Sequence, residues 1–181
     1  MIHNAWATPI EHIHSPVEGL LDHLFTFTDT SQINYNILES DSKPIKLLKE
    51  TAYNNFKSYI NRCFGVDIDT YHTEMNGWLL KSSDRGYSHQ FHNHMGAMFS
   101  SVYYPLCEED KGGEIRFHDP RYNANRGYDD NFKNHFASKT ISPKTGDAVI
   151  FPSYLYHSVD PFTGGIRIAL PLDIMLIRRK D

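Results

Sequence analysis

Asp147-Ala148-Val149-Ile150-Phe151-Pro152-Ser153-Tyr154-Leu155-Tyr156-His157-Ser158-Val159 is the stretch on which the fold turns. It follows the turn signal Pro143-Lys144-Thr145-Gly146 and reads as two short strands, 147–151 and 154–159, rich in β-branched and aromatic residues. Working outward, stretches of the same kind occupy 78–80, 99–106, 114–117 and 166–177, with Gly112-Gly113 and Gly164-Gly165 as further turns. Before residue 65 the pattern is helical. Ser15-Pro16 opens a run with Val17, Leu20, Leu21, Leu24 and Phe25 at helical spacing. Residues 42–64 carry Ile45, Leu47, Leu48, Ala52, Phe56, Tyr59 and Ile60 with the same period, and Gly65 is a natural stop. Helices first and many short strands later predict an α+β chain, mainly β, with a barrel or sandwich core. The expected organisation is one domain over 1–181, in which a helical part, 1–65, braces a β core, 66–181.

At 181 residues, 40% of them hydrophobic, the chain can bury a sizeable core. A net charge of −4 gives no electrostatic footprint for nucleic acid or an anionic membrane. Arg178-Arg179-Lys180 reads as a solvated tail. Cys63 and Cys107 are the two cysteines and stand in no metal-binding spacing, which points to a reducing compartment. Glu11, His12 and His14 interrupt any leader-like start, and no apolar run reaches the roughly 18 residues of a membrane span. The expectation is a soluble, cytoplasmic protein.

Eleven histidines are present, and those in the amino-terminal part are expected at surface positions. Phe91-His92-Asn93-His94 is different. Two histidines two apart share a face if the segment is extended, and imidazole suits iron, zinc, copper and nickel. His157, alone in an apolar stretch, could close a triangle around one metal ion, although a lone histidine there is also a common core residue. His89, three before His92, should face the other way in a strand and is the substitute ligand. Arg167 follows the Gly164-Gly165 turn within an otherwise apolar strand. A buried arginine needs an anionic partner, and its planar fork matches a carboxylate.

These segments, with Ser100-Ser101-Val102-Tyr103-Tyr104, Gly112-Gly113-Glu114-Ile115-Arg116-Phe117 and Arg167-Ile168-Ala169, occur in the order seen in a family of 2-oxoglutarate- and iron-dependent oxygenases of bacteria and phages, which the chain resembles over roughly 78–175. That family looks like a distant relative of the prolyl hydroxylases. The resemblance implies a double-stranded β-helix, a cupin-like jelly-roll barrel with the metal near its mouth. It implies Fe(II) held by His92, His94 and His157, with His94 where the wider superfamily usually has Asp. It implies that Arg167 clamps the distal carboxylate of 2-oxoglutarate and that Tyr104 reaches the co-substrate, with Tyr103 as the alternative if the register slips. A hydroxyl residue that often stands two after the arginine is Ala169 here, and the glycine usual before the Tyr-Tyr strand is Ser101.

The leading expectation is an oxygenase that takes 2-oxoglutarate, O2 and an unidentified substrate, a peptidyl side chain or a small molecule, and hydroxylates it while releasing succinate and CO2. Two alternatives stay open. Three neutral histidines leave Fe(II) at +2, as in cupin-like enzymes that use no 2-oxoglutarate; or the chain is a non-catalytic jelly-roll that binds a ligand. The polar segment 120–136, with Arg121, Tyr122, Arg126, Tyr128, Asp129 and Asp130, is expected to be a substrate-reading lid or a solvated excursion.

Overall fold

The computed structural model describes residues 7–26, 36–83, 85–121, 123–124, 126–129, 131, 135–136 and 138–179. Among them are two α-helices, α1 (Leu20–Phe25) and α2 (Lys43–Phe64), and ten strands. The strands are β1 (Glu11–His14), β2 (Tyr71–Gly77), β3 (Leu80–Ser82), β4 (His89–His92), β5 (Phe99–Leu106), β6 (Ile115–His118), β7 (Ser138–Ile141), β8 (Asp147–Pro152), β9 (His157–Val159) and β10 (Arg167–Arg178). The larger sheet runs β1-β8-β5-β10-β2 with β3 also on β10, and the smaller runs β4-β9-β6-β7; every pairing in both is antiparallel.

Alternation along the central strands divides the larger sheet into two apolar faces. Tyr103, Ala148, Ile150, Ile168, Leu170, Leu172 and Ile174 join one hydrophobic cluster with Leu20, Leu24, Ile45, Leu48, Phe56 and Tyr59 of the helices. Val102, Tyr104, Val149, Phe151 and Ala169, on the other face, join a second cluster with Ile115 and Phe117 of the smaller sheet. The pocket described below opens within this second layer.

Helix α2 forms where its period places it. Pro44 occupies the first turn, where its missing N–H costs nothing, and Gly65 ends the helix at φ +67°, donating its N–H to the Asn61 carbonyl. The first helix departs from expectation. It starts at Leu20, after Gly19 at φ +70°, not at Pro16. The reason is β1, which the helical reading of 1–65 missed. It pairs along the open edge of β8, and Ser15 N–H donates to the Gly146 carbonyl at 2.8 Å, so the chain is still extended there. His12 Nε2 and His14 Nδ1 both bond Asp147, at 2.7 and 2.9 Å. β2 and β7 are further strands outside the six stretches read from sequence.

Candidate metal centre

His92 ends β4 and His157 begins β9, and the two are directly paired across the sheet. Opposite residues in an antiparallel pair share a face. His94 lies just past the end of β4, so it is not strand-borne; its N–H donates to the Ser153 carbonyl at 3.1 Å. The rings come together nonetheless, with centroids 4.3 Å apart for His92 and His157, 5.5 Å for His92 and His94, and 5.2 Å for His94 and His157. One ring nitrogen from each lies within 4.8 Å of the others.

Hydrogen bonds settle which nitrogens are available. His92 Nδ1 donates to the Gln90 carbonyl at 2.7 Å and His157 Nδ1 to the Leu155 carbonyl at 3.1 Å. Carbonyl oxygens only accept, so both Nδ1 atoms carry the proton and Nε2 is left with its lone pair. His94 Nδ1 is bonded to Asp173 Oδ1 at 2.7 Å, which leaves the same atom. The three Nε2 atoms are therefore the ligand atoms on offer.

Burial is the main cause that lowers the His157 pKa to about 3, with His92, His94 and His89 adding to it against the opposing Leu155 carbonyl. Burial also lowers the pKa of His92. At neutral pH both are the uncharged imidazoles that a metal requires. A stability consequence follows. His157 titrates near 6.5 when unfolded and near 3 when folded, so between these values the unfolded chain binds more protons. Its contribution is intact above pH 6.5 and is lost progressively as pH falls toward 3. At pH 5 this single group removes roughly 2 kcal/mol from the metal-free protein. The thermal midpoint of metal-free protein should drop between pH 7 and pH 5, and His157→Gln should flatten that slope. An equally steep slope in the variant would show that other groups set it.

His89 does not face away. A register shift in the β4–β9 pairing between His89 and His92 turns the chain, and the two rings lie 4.4 Å apart, tilted by 33°. His89 lines the same pocket but stands outside the three-nitrogen cluster, and no hydrogen bond from the described residues reaches its ring.

The pocket holds about 250 Å³ and takes in His92, His94, His157, Tyr104 and Arg167. Arg167 is 2% exposed, and no carboxylate among the described residues pairs with it. Its guanidinium stands over the Tyr104 ring, 5.2 Å from the centroid. Arg167 Nε and the Tyr104 hydroxyl are both buried without a hydrogen-bond partner among the described residues. Burial pushes the Tyr104 pKa well up, so the phenol keeps its proton and can donate. Gly113, at φ +79°, forms a wall against Arg167; a Cβ there would lie 3.0 Å from Cδ and Nε. A buried cation and a buried O–H with no acceptor make a site that fits a carboxylate. Tyr103 does not belong to it. It lies on the opposite face of β5, where its hydroxyl accepts from the Val17 N–H at 3.0 Å, so the alternative assignment falls. Ala169 offers no hydroxyl, but Ser82 does. It sits directly opposite Arg167 on β3, buried and also without a partner.

A family model described as "Putative 2OG-Fe(II) oxygenase" matches residues 76–173, which contain every residue of the pocket named above. The chain belongs to this family. Its members use Fe(II) and 2-oxoglutarate, and the nitrogen triad and carboxylate site fit both. No curated protein matches the chain in sequence. Solved structures do match it. A Pseudomonas putida prolyl-4-hydroxylase is 16% identical over 95% of this chain and 88% of its own, with a TM-score of 0.59. The 2-oxoglutarate-dependent epimerase SnoN from nogalamycin biosynthesis is 11% identical over 91% and 77%, with a TM-score of 0.60. HygX from Streptomyces hygroscopicus, solved with nickel and 2-oxoglutarate, is 12% identical over 92% and 81%, with a TM-score of 0.55. At such identities the likeness establishes the oxygenase fold, the double-stranded β-helix of antiparallel sheets. Two residues of the pocket have no such role in the sequence: His89, read only as a substitute ligand, and Asp173, given no role.

Proposed function

We propose that this member of the oxygenase family is a hydroxylase in which His92, His94 and His157 hold Fe(II) through Nε2, and Arg167 and Tyr104 hold the distal carboxylate of 2-oxoglutarate. The observation that carries it is the meeting, in one pocket, of three imidazoles and a buried arginine that has no carboxylate partner among the described residues. When bound, iron and 2-oxoglutarate supply the oxidation: O2 is consumed, 2-oxoglutarate leaves as succinate and CO2, and a C–H bond becomes C–OH. The chain orients these partners. Arg167 and Tyr104 would fix one end of the co-substrate, the histidines would hold the metal, and Trp78, Phe117 and Phe151 pack around His94 and His157 and shield these two rings from water. In this reading the sheets are a jelly-roll barrel braced by α1 and α2 as one domain. Arg167 also separates it from a three-histidine enzyme without 2-oxoglutarate, which needs no carboxylate site.

A peptidyl side chain is the substrate class to try first. Phe91, Met95, Tyr154 and Tyr156 are exposed beside the histidine-bearing segments, and Phe91 stacks on Tyr156 with centroids 4.5 Å apart. Such a rim suits a reactive group presented by a larger molecule. That 120–136 reads the substrate is part of the proposal; residues 122, 125, 130 and 132–134 of it lie outside the described residues. The test is uncoupled turnover. Protein loaded anaerobically with Fe(II) should convert 2-oxoglutarate to succinate on exposure to air, and oxygen from 18O2 should enter the product once a substrate is supplied. Succinate without oxygen incorporation would favour a reaction of the epimerase kind; no succinate at all would remove the proposal.

A further inference from the structure

Along β10, Arg167, Ala169, Pro171 and Asp173 alternate onto the pocket face, so Asp173 stands in the metal layer of the same strand that carries the arginine. It pairs in register with Ser100 on β5. Its Oδ1 accepts from His94 Nδ1 at 2.7 Å and from Ser100 Oγ at 2.6 Å. Ser100 has one hydroxyl proton and commits it to Asp173, so Ser153 Oγ donates to Ser100 across 2.7 Å. Ser100 and Ser153 are 0% and 1% exposed, and the His94 side chain is 5% exposed. The Asp173 side chain is 17% exposed, but its donors are buried and hold it aimed at the back of one ring of the triad.

We propose that Asp173 is the carboxylate of this metal centre, acting through His94 and not by direct coordination. This rests on the reading of His92, His94 and His157 as the ligands. The other two rings are backed by neutral carbonyls of Gln90 and Leu155; His94 alone is backed by a charge. A carboxylate behind a ligating imidazole fixes its tautomer and ring plane and makes Nε2 a stronger donor. It also restores the electrostatics that a third histidine removes. Three neutral imidazoles leave Fe(II) at +2, and one anion behind His94 brings the local sum to +1, the value of a two-histidine, one-carboxylate site. The burial of His94, Ser100 and Ser153 around it limits screening over that distance. Asp173 is accordingly a positioning residue that sets metal affinity and potential.

A latch holding β5, β8 and β10 together would show the same contacts, so the test separates charge from shape. Asp173→Asn keeps the size and an oxygen acceptor and removes the charge. We expect Fe(II) and Co(II), titrated into metal-free protein, to bind roughly 10- to 100-fold more weakly. The Fe(III)/Fe(II) midpoint potential should rise, because loss of the anion disfavours the ferric state. Ser100→Ala, which removes one donor but no charge, should bind both metals nearly as tightly as wild type. A folded Asp173→Asn protein with unchanged affinity and potential overturns the proposal. If His157→Gln at the same time loses metal, the ligand reading survives and this inference alone fails; if wild-type protein takes up neither metal, the ligand reading itself is wrong. Should Asp173→Asn not fold, wild-type protein decides. With 15N-labelled histidine and Zn(II) bound, one Nδ1–H proton should resonate well downfield of the two on carbonyls. Three alike would overturn the proposal.

Discussion

In His157→Gln protein, Fe(II) stoichiometry should fall from about one per chain to near zero. The substitution keeps approximate volume and a polar tip, so the surrounding Phe117 and Phe151 rings need not collapse into a void. Two imidazoles remain, and two neutral ligands do not hold a labile divalent ion against water. His92→Ala and His94→Ala should behave alike. His12→Ala should not, because its ring bonds Asp147 on the far edge of the larger sheet. His89→Ala should also keep iron, since His89 stands outside the nitrogen cluster. Iron content of purified, anaerobically loaded variants measures all five. Full occupancy in His94→Ala would show that the ligand set is wrong and would bring His89 in its place.

Arg167→Met should weaken 2-oxoglutarate binding by about 3 kcal/mol, roughly a hundredfold or more, with iron stoichiometry unchanged. A fork of charge-assisted hydrogen bonds to the distal carboxylate is lost at once, and Met restores only the packing over Tyr104. A second effect has the opposite sign. Without co-substrate the native protein carries a guanidinium that is 2% exposed and has no carboxylate partner among the described residues, which costs stability. Met removes that cost, so the thermal midpoint of the metal-free variant should be higher than that of wild type. The stabilisation given by added 2-oxoglutarate should shrink in parallel. Calorimetry and thermal shift read the two effects separately. Unchanged 2-oxoglutarate affinity would sink the carboxylate assignment and favour a three-histidine enzyme of another kind.

The sequence by itself determined the strands whose signal is local. Residues 99–106 form β5 at those bounds, and the turn at Gly164-Gly165 delivers β10 one residue later than read. Helix α2 and its Gly65 stop were equally legible, since period and cap lie within one segment. His92 and His94 stood out by their spacing, His157 and Arg167 by standing in apolar stretches, and the structure brings all four into one pocket. Chain alone could not say what backs them. The parity of Arg167, Ala169, Pro171 and Asp173 along one strand was there to be read, yet Asp173 gains meaning only when β10 pairs with β5 and meets a histidine 79 positions earlier. His89 faces the pocket because of one register shift, and Ser82 meets Arg167 because β3 lies antiparallel on β10. β1 has no strong strand signal of its own; the open edge of β8 makes it one. Residue type and period are properties of a segment, whereas register is fixed by hydrogen bonds between segments far apart in the chain, and register decides which side chains face each other across the metal layer.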